Sequence, residues 1–482
     1  MTKEIVIEPV SRIEGHAKVA IQLDDEGNVS DAKMHVVELR GFEKFCVGRM
    51  VEELPRITPR ICGVCPWAHH LASAKATDAV FGVKIPEPAR KIRELVYMAE
   101  MASDRILHFW ILSGPDFVLG PTADYKERNV FGVVKANPDL AKRVVHVRHL
   151  GTRIAQLLSG KAIHPAAAVP GGWSRPLKKE EIEETKTMAK EMHDFALFSM
   201  KFAKDEIFPK YIDLVKRLAV FNTGFLGTVM DDGGLSLYDG KLRMMKPDGS
   251  YEDFNVENYL DYIAELVEPW TFLKFPYYKK AGQMTTDLEN PVGVYRVNAL
   301  ARINVVDKIP TPLAQKELEE FRSQFGRPAQ ATLLFHWARL IELVYCTERL
   351  LQLLDEPDIT STDIRARVTP RAARGIGSVE ASRGTLIHDY ETDDRGIVKD
   401  VNLLVATVQN NAAMNIAVKK TARDLIKGGK YDQGILNQIE MVIRPYDPCF
   451  SCGTHALQGK VPVKVDIYDA GGRPIDSLRN YE

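Results

Sequence analysis

The chain has 482 residues, 45% hydrophobic and 27% charged, the composition of an ordinary globular protein with a large core and not of a disordered one. Lys plus Arg number 64 against 65 for Asp plus Glu, so no net field steers the chain toward nucleic acid or an anionic membrane. Six cysteines exclude a disulfide scaffold, and no uninterrupted apolar run of about 18 residues offers a membrane span or a signal core, so the sequence reads as cytoplasmic, or as exported only on a partner's signal.

Along the chain, EIVIEPV, AKVAIQL and DAKMHVVEL alternate as strands within residues 4–40, with DDEGN as a turn, and predict a small antiparallel sheet. Residues 89–112, 141–159, 178–219 and 328–354 show apolar spacings of three and four and predict the helices of a large bundle. The Gly- and Asp-rich stretch 231–254 reads as a hairpin. Near the end, Val461, Val463, Val465 and Ile467 alternate with Pro462, Lys464, Asp466 and Tyr468 as in a half-buried strand. No repeat or linker divides the chain, so a single domain over 1–482 is expected: a β region (1–50), a helical core (51–228), a hairpin excursion (229–260), a second part of the helical core (261–455) and a C-terminal extension (456–482). The fold class is mainly α with small β parts, a large helical bundle preceded by an N-terminal antiparallel sheet.

Two C-x-x-C pairs stand far apart, Cys62 and Cys65 in RICGVCPWAHH and Cys449 and Cys452 in DPCFSCGTH. Pro66 and the helical spacing beyond it place Cys65 at an N-cap, where amide dipoles favour thiolate. Pro448 stiffens the approach to the second pair, and Gly453 lets backbone come close to whatever the sulfurs hold. Four converging thiolates suit zinc, an iron-sulfur cluster, or nickel and iron. A closed zinc site is the commonest outcome for two such pairs, but zinc modules keep their pairs within a few tens of residues, and a large helical protein with its own core needs no zinc staple. Cys346 lies in an apolar helical run and reads as a core residue, as does Cys46.

RICGVCPWAH and DPCFSCGTH resemble the two nickel-binding signatures of nickel-iron hydrogenase large (catalytic) subunits. RIEGH (12–16), ELRGFE (38–43) and EASRGTL (380–386) resemble further motifs of that family, in the same order and over essentially the whole chain. The variants CPWAHH and TVQNNAAMN (407–415) are most similar to the cytoplasmic methyl-viologen-reducing hydrogenases of methanogens, which do not reduce the deazaflavin coenzyme. The resemblance implies heterolysis of dihydrogen at a nickel-iron centre whose iron carries two cyanides and one carbon monoxide. Cys62 and Cys449 match the terminal nickel thiolates, and Cys65 and Cys452 match the two that bridge nickel to iron.

The released proton needs a base, for which the Cys449 thiolate and Arg383 are the candidates the resemblance offers. Guanidinium stays protonated, so Arg383 is easier to accept as an electrostatic clamp. Asp104 shares a helical stripe with Tyr97, Met101, His108 and Ile111 and matches the aspartate that anchors the arginine; spacing alone equally allows an ion pair with Arg105 or His108. Asp447 matches an aspartate holding Arg383 from the other side, its plain reading being a turn residue. His69 matches a histidine expected to donate toward a bridging sulfur, whereas His70 reads as incidental. Glu14 matches the glutamate through which protons leave, and Glu43 a magnesium ligand with His455 as its partner.

With the four site thiols assigned, no cysteine remains for an electron relay. The resemblance therefore implies an iron-sulfur small subunit, joined in the methyl-viologen-reducing group by an additional iron-sulfur subunit linked to heterodisulfide reductase. Residues 160–173 are expected at that contact or form a plain interhelix loop. In most family members a protease removes the extension after His455, so the residues beyond it predict an unprocessed precursor or a member that skips cleavage, with the tail packed on the body. Two other classes remain in view: a complex I-like quinone-site subunit, a relative that lacks these cysteines, and a structural zinc protein with four cysteine ligands.

Overall fold

The computed structural model describes residues 3–455, 464–468 and 473–479. Strands Lys3–Ile7 (β1), Lys18–Leu23 (β2) and Val29–His35 (β3) pair antiparallel in the order β1-β2-β3, as the alternation predicts. Ile5 lies opposite Ile21 and Val19 opposite Met34, and all four are buried.

Long helices follow. Pro66–Phe81 (α1) stands apart from a closed ring, in which Glu87–Ile106 (α2) packs on Pro138–Ser159 (α4), α4 on Lys179–Phe202 (α5), α5 on Phe335–Leu354 (α6), and α6 back on α2. The short helix Gly114–Val118 (α3) leaves α2 through a π-helical turn at Leu107–Ser113. Apolar residues of α2 such as Leu95, Met98 and Met101 lie in the common core with Leu340 and Val344 of α6, the stripe-to-stripe burial that stabilises amphipathic helices. The helix expected over 328–354 begins at Phe335, after a 3-10 turn at Thr332–Leu334, and not at Pro328.

The expected hairpin is present as Lys241–Met245 (β5) and Tyr251–Phe254 (β6), and it belongs to a larger sheet. Gly224–Val229 (β4) pairs with β5, and Tyr295–Arg296 adds a parallel edge to β4. The region 261–455, expected as helical core, also holds an antiparallel sheet of Arg374–Ala381 (β7), Gly384–Thr392 (β8) and Val398–Leu404 (β9). Residues 375–381 of β7 are all buried, so the strand shows no two-residue period, and periodicity gives no sign of it.

The tight fit of α1 on β7 explains that burial. A Cβ at Gly377 would come within 2.3 Å of Ala76 N and 2.4 Å of Ala72 O, so glycine on the strand and alanine on the helix let the two backbones touch. This contact fixes α1, whose N-terminus carries Cys65.

In the C-terminal segment, Lys464–Tyr468 and Pro474–Arg479 form an antiparallel pair, with Ile467 and Ile475 exposed. Whether the tail packs on the body depends on residues 456–463 and 469–472 and lies outside the described residues. Among the described residues, no helix is long and apolar enough to cross a membrane.

Candidate metal centre

Both cysteine pairs sit where a turn feeds a helix. Cys62 follows a 3-10 turn at Thr58–Ile61, and Cys65 caps α1 with Pro66 as its first residue, as the sequence predicts. The backbone N–H groups of Val64 and Cys65 donate to Cys62 Sγ at 3.2 and 3.4 Å. On the second arm, Asp447 takes a left-handed backbone (φ 51°) immediately before Pro448, and Cys449 caps the short helix Phe450–Gly453. The Cys449 N–H donates to Thr407 Oγ1 at 3.0 Å. A Cβ at Gly453 would come within 2.6 Å of a Leu273 methyl and 2.8 Å of a Val408 methyl, so any larger residue there must push these side chains aside.

The two arms, 387 residues apart, bring four sulfurs together. Cys62 Sγ lies 3.4 Å from Cys449 Sγ, Cys65 Sγ 3.4 Å from Cys452 Sγ, and Cys449 Sγ 2.8 Å from Cys452 Sγ. All four fall within 4.8 Å of one another and are buried. Hydrogen bonds from the three neighbouring thiols hold Cys62 well below the ordinary thiol range, while burial pushes Cys449 and Cys452 well above it. Without a cation the cluster accommodates little negative charge, whereas a bound metal would let all four ionise, so the donor set fits a soft or borderline metal.

Arg383 approaches from the tip of the β7–β8 hairpin. Ala381 pairs with Gly384, leaving Ser382 and Arg383 as a two-residue turn. Gly384 has φ 128°, and a Cβ there would strike Val297 at 2.2 Å, so only glycine lets the tip come in this far. Arg383 Nη2 meets Asp447 Oδ1 at 3.1 Å and Asp104 Oδ1 at 3.6 Å, and all three side chains are buried. Burial opposes the charge, yet Asp447 and Asp104 hold the guanidinium well above its ordinary value, so it is a fixed cation. The alternative partners of Asp104 are otherwise engaged: Arg105 binds Glu342 at 2.6 Å, and His108 Nε2 bonds the Arg444 carbonyl at 2.8 Å. Among the described residues, Arg383 Nε and Nη1 complete no hydrogen bond, and Cys449 and Cys65 lie close enough to add to the field that favours the cation.

Glu14 arrives on the loop between β1 and β2. Its backbone bridges the second arm, with Glu14 N donating to Pro448 O at 3.3 Å and Phe450 N to Glu14 O at 3.1 Å. Its side chain accepts from Cys449 Sγ at 2.9 Å and from Ser451 N at 3.2 Å. His69 Nδ1 meets Nε2 of His388 at 3.1 Å, and His388 Nδ1 continues to Tyr390 Oη at 2.6 Å. His70 bonds the Pro55 carbonyl and the Ala168 N–H, a packing role.

The Glu43 segment wraps the end of the second arm. Arg40 N and Gly41 N donate to Thr454 O, and the Phe42 ring meets His455 edge-on at 5.4 Å. Burial raises Glu43, and burial lowers His455 to about 3, so its imidazole is neutral. Among the described residues, neither ring nitrogen of His455 completes a hydrogen bond. The neutral His455 imidazole and the half-buried Glu43 carboxylate of the adjoining segment are donors of the kind a cation takes, although Lys274 Nζ already stands 3.9 Å from Glu43. His388 and Thr407 are site neighbours to which the sequence assigned no role: His388 lies in a strand buried along residues 384–390 with no local signal, and Thr407 opens the TVQNNAAMN stretch, which marked a resemblance but named no contact.

A family model described as nickel-dependent hydrogenase matches residues 40–136 and 226–455, and one described as HoxL-like matches 4–39. The matching chain of the vhc F420-non-reducing hydrogenase of Methanococcus voltae is 44% identical over 99% of this chain and 100% of its own. The NAD-reducing hydrogenase HoxS subunit beta of Cupriavidus necator is 40% identical over 99% of each. Among solved structures, an NAD+-reducing [NiFe]-hydrogenase in the H2-reduced state superposes with a TM-score of 0.89 at 38% identity, covering 94% of this chain and 100% of that one.

Proposed function

This chain belongs to the nickel-dependent hydrogenase family, and from that premise we propose that it is a catalytic subunit that splits dihydrogen reversibly into protons and electrons at a nickel-iron centre held by Cys62, Cys65, Cys449 and Cys452. The observation that carries this reading is the buried four-sulfur cluster with an acid on one sulfur and a fixed cation facing it. In this reading Cys62 and Cys449 would serve nickel, and Cys65 and Cys452 would serve iron as well. When bound, the centre, with two cyanides and one carbon monoxide on iron, supplies the redox chemistry and the place where the H–H bond is polarised.

The chain's own residues manage charge and protons. Arg383 cannot give up its proton readily, so it acts as a clamp for developing negative charge, with Asp104 and Asp447 fixing its fork. The proton passes from Cys449 Sγ to Glu14 Oε2 along the 2.9 Å contact, and the half-buried Glu14 carries it outward. His388 and Tyr390 orient His69 beside the first cysteine arm. Glu43 and His455 are assigned to a magnesium ion that ties the end of the second arm to the body.

Electrons need a carrier outside this chain, because Cys46 and Cys346 are single buried thiols pushed up to about 12 by burial. We assign that role to an iron-sulfur small subunit, with an additional iron-sulfur subunit next in line, then heterodisulfide reductase. Metal analysis and infrared spectroscopy of the purified complex test the reading. Nickel and iron with bands in the cyanide and carbonyl stretching region are expected. Zinc alone, or no such bands in active, metal-replete protein, would overturn it.

A further inference from the structure

Asp116, on α3, belongs to none of the motifs and touches none of the sulfurs, yet it is 1% exposed and is shared by the half-buried Arg12 and the buried Arg444, from opposite ends of the chain. Its Oδ1 accepts from Arg12 Nη2 at 2.5 Å and from Asn437 Nδ2 at 3.1 Å, and its Oδ2 accepts from Arg444 Nη1 at 2.8 Å. Arg12 stands two residues before Glu14 in a left-handed backbone (φ 58°), a conformation that a non-glycine residue keeps only when its surroundings impose it. Its other guanidinium nitrogen donates to the Leu112 carbonyl at 2.9 Å. Arg444 stands five residues before Cys449 and reaches back to Ser11, donating to its hydroxyl at 3.0 Å and its carbonyl at 3.2 Å. Ser11 N in turn donates to Glu440 Oε1 at 2.6 Å, and Arg444 Nη2 meets Glu440 Oε2 at 3.1 Å.

We propose that Asp116 is the positioning residue for Glu14: its single carboxylate locks the Arg12 and Arg444 segments together and so holds Glu14 Oε2 against Cys449 Sγ. Burial works against ionisation, yet Arg444 and Arg12 hold the Asp116 carboxyl below its ordinary range, so the counter-charge is permanent. Removing that charge leaves the Arg12 and Arg444 guanidiniums close together with only Glu440 to offset them, so they move apart; the turn at 11–15 then loses the anchor of its strained Arg12, and the grip of Arg444 on Ser11 weakens. The inference rests on the assignment of Glu14 to proton exit.

The test uses the full complex with Asp116→Asn, Glu14→Gln and the double variant. Glu14→Gln is expected to lower viologen reduction and hydrogen exchange with D2O by about 10²-fold, and Asp116→Asn to lower both by about tenfold, with nickel content retained. Amide hydrogen exchange should quicken in the peptide spanning residues 10–17 and stay unchanged in α6. The double variant should be no slower than Glu14→Gln alone, because both act through one carboxylate. Multiplied losses in the double variant, an unchanged 10–17 peptide, or faster exchange throughout the chain would each overturn the inference. If Asp116→Asn does not accumulate, Arg12→Gln keeps the Arg444 pair and must show the same local loosening. Should Glu14→Gln leave turnover and D2O exchange unaltered, the proton-exit assignment fails by itself, and the peptide exchange still reports whether Asp116 fixes the turn.

Discussion

Arg383 shows how a single side chain is made functional by what surrounds it. One cation faces two buried acids, with Asp447 at 3.1 Å and Asp104 at 3.6 Å, and two of its nitrogens have no hydrogen-bond partner among the described residues. Loss of either acid would free the fork to rotate without removing the charge. Asp104→Asn is therefore expected to keep nickel content normal while lowering hydrogen oxidation by about tenfold to 10²-fold, the range for disturbing a preorganised electrostatic group. Parallel metal analysis and viologen-reduction assays check this; normal turnover in the nickel-replete variant would assign Asp104 to packing alone. The residue scale is also where legibility was greatest. Cysteine spacing and the flanking prolines announced the two arms, but nothing local to Asp104 announced its partner, since the same helical spacing served Arg105 and His108 equally well.

At the scale of elements, two contacts carry the site. The β7–β8 hairpin delivers Arg383, and α1 delivers Cys65, and both depend on the glycine-lined seam between α1 and β7. Gly377→Ala would press a methyl group onto Ala76 N and Ala72 O, so α1 must lift or slide. The expected cost is about 1–3 kcal/mol of stability, as for overpacking in a tight core. It should appear as a lowered thermal midpoint together with reduced nickel incorporation, because the displaced helix carries a ligand. Thermal unfolding and metal content of the purified variant give both readouts, and a variant with unaltered midpoint would show that the seam has slack. These strands were invisible in the sequence for a physical reason. A strand buried on both faces has no polar positions to mark its period, and its glycines are there for the helix that lies on it.

At the scale of the whole molecule, buried charges register the layers. Arg302 bridges Glu342 on α6 and Glu380 on β7, and Glu342 also takes Arg105 on α2, so helix ring and sheet share one ionic network. Such groups make the fold sensitive to pH, and so do buried imidazoles. His70 is fully buried between the Pro55 carbonyl and the Ala168 N–H, and burial lowers it to about 3 from an ordinary 6.5. A base with a depressed folded pKa stabilises the fold above its unfolded value and loses that contribution as the pH falls toward its folded value. Between pH 6.5 and pH 5 the loss amounts to about 2 kcal/mol. Thermal midpoints at pH 7 and pH 5 are thus expected to differ less in His70→Gln than in the parent chain; an equal difference would place the acid sensitivity in other groups.

The sequence by itself determined the chemistry available: four thiols, one pair at a helix start and the other on a proline-marked turn, an N-terminal antiparallel sheet, amphipathic helices that must bury one another, and an ordered set of motifs naming the family. Those features are local, because spacing, capping and periodicity depend on neighbours within a few residues. Only the tertiary structure decided which groups meet. It set Cys449 against Glu14, Arg383 between Asp104 and Asp447, His69 on His388, and Asp116 between the arginines of both chain ends. Each of these pairs is separated by 64 residues or more, the least being Arg383 and Asp447. Over such distances a side chain's own pattern reports that it is buried and leaves open against what, since the partner is chosen by how whole helices and sheets pack.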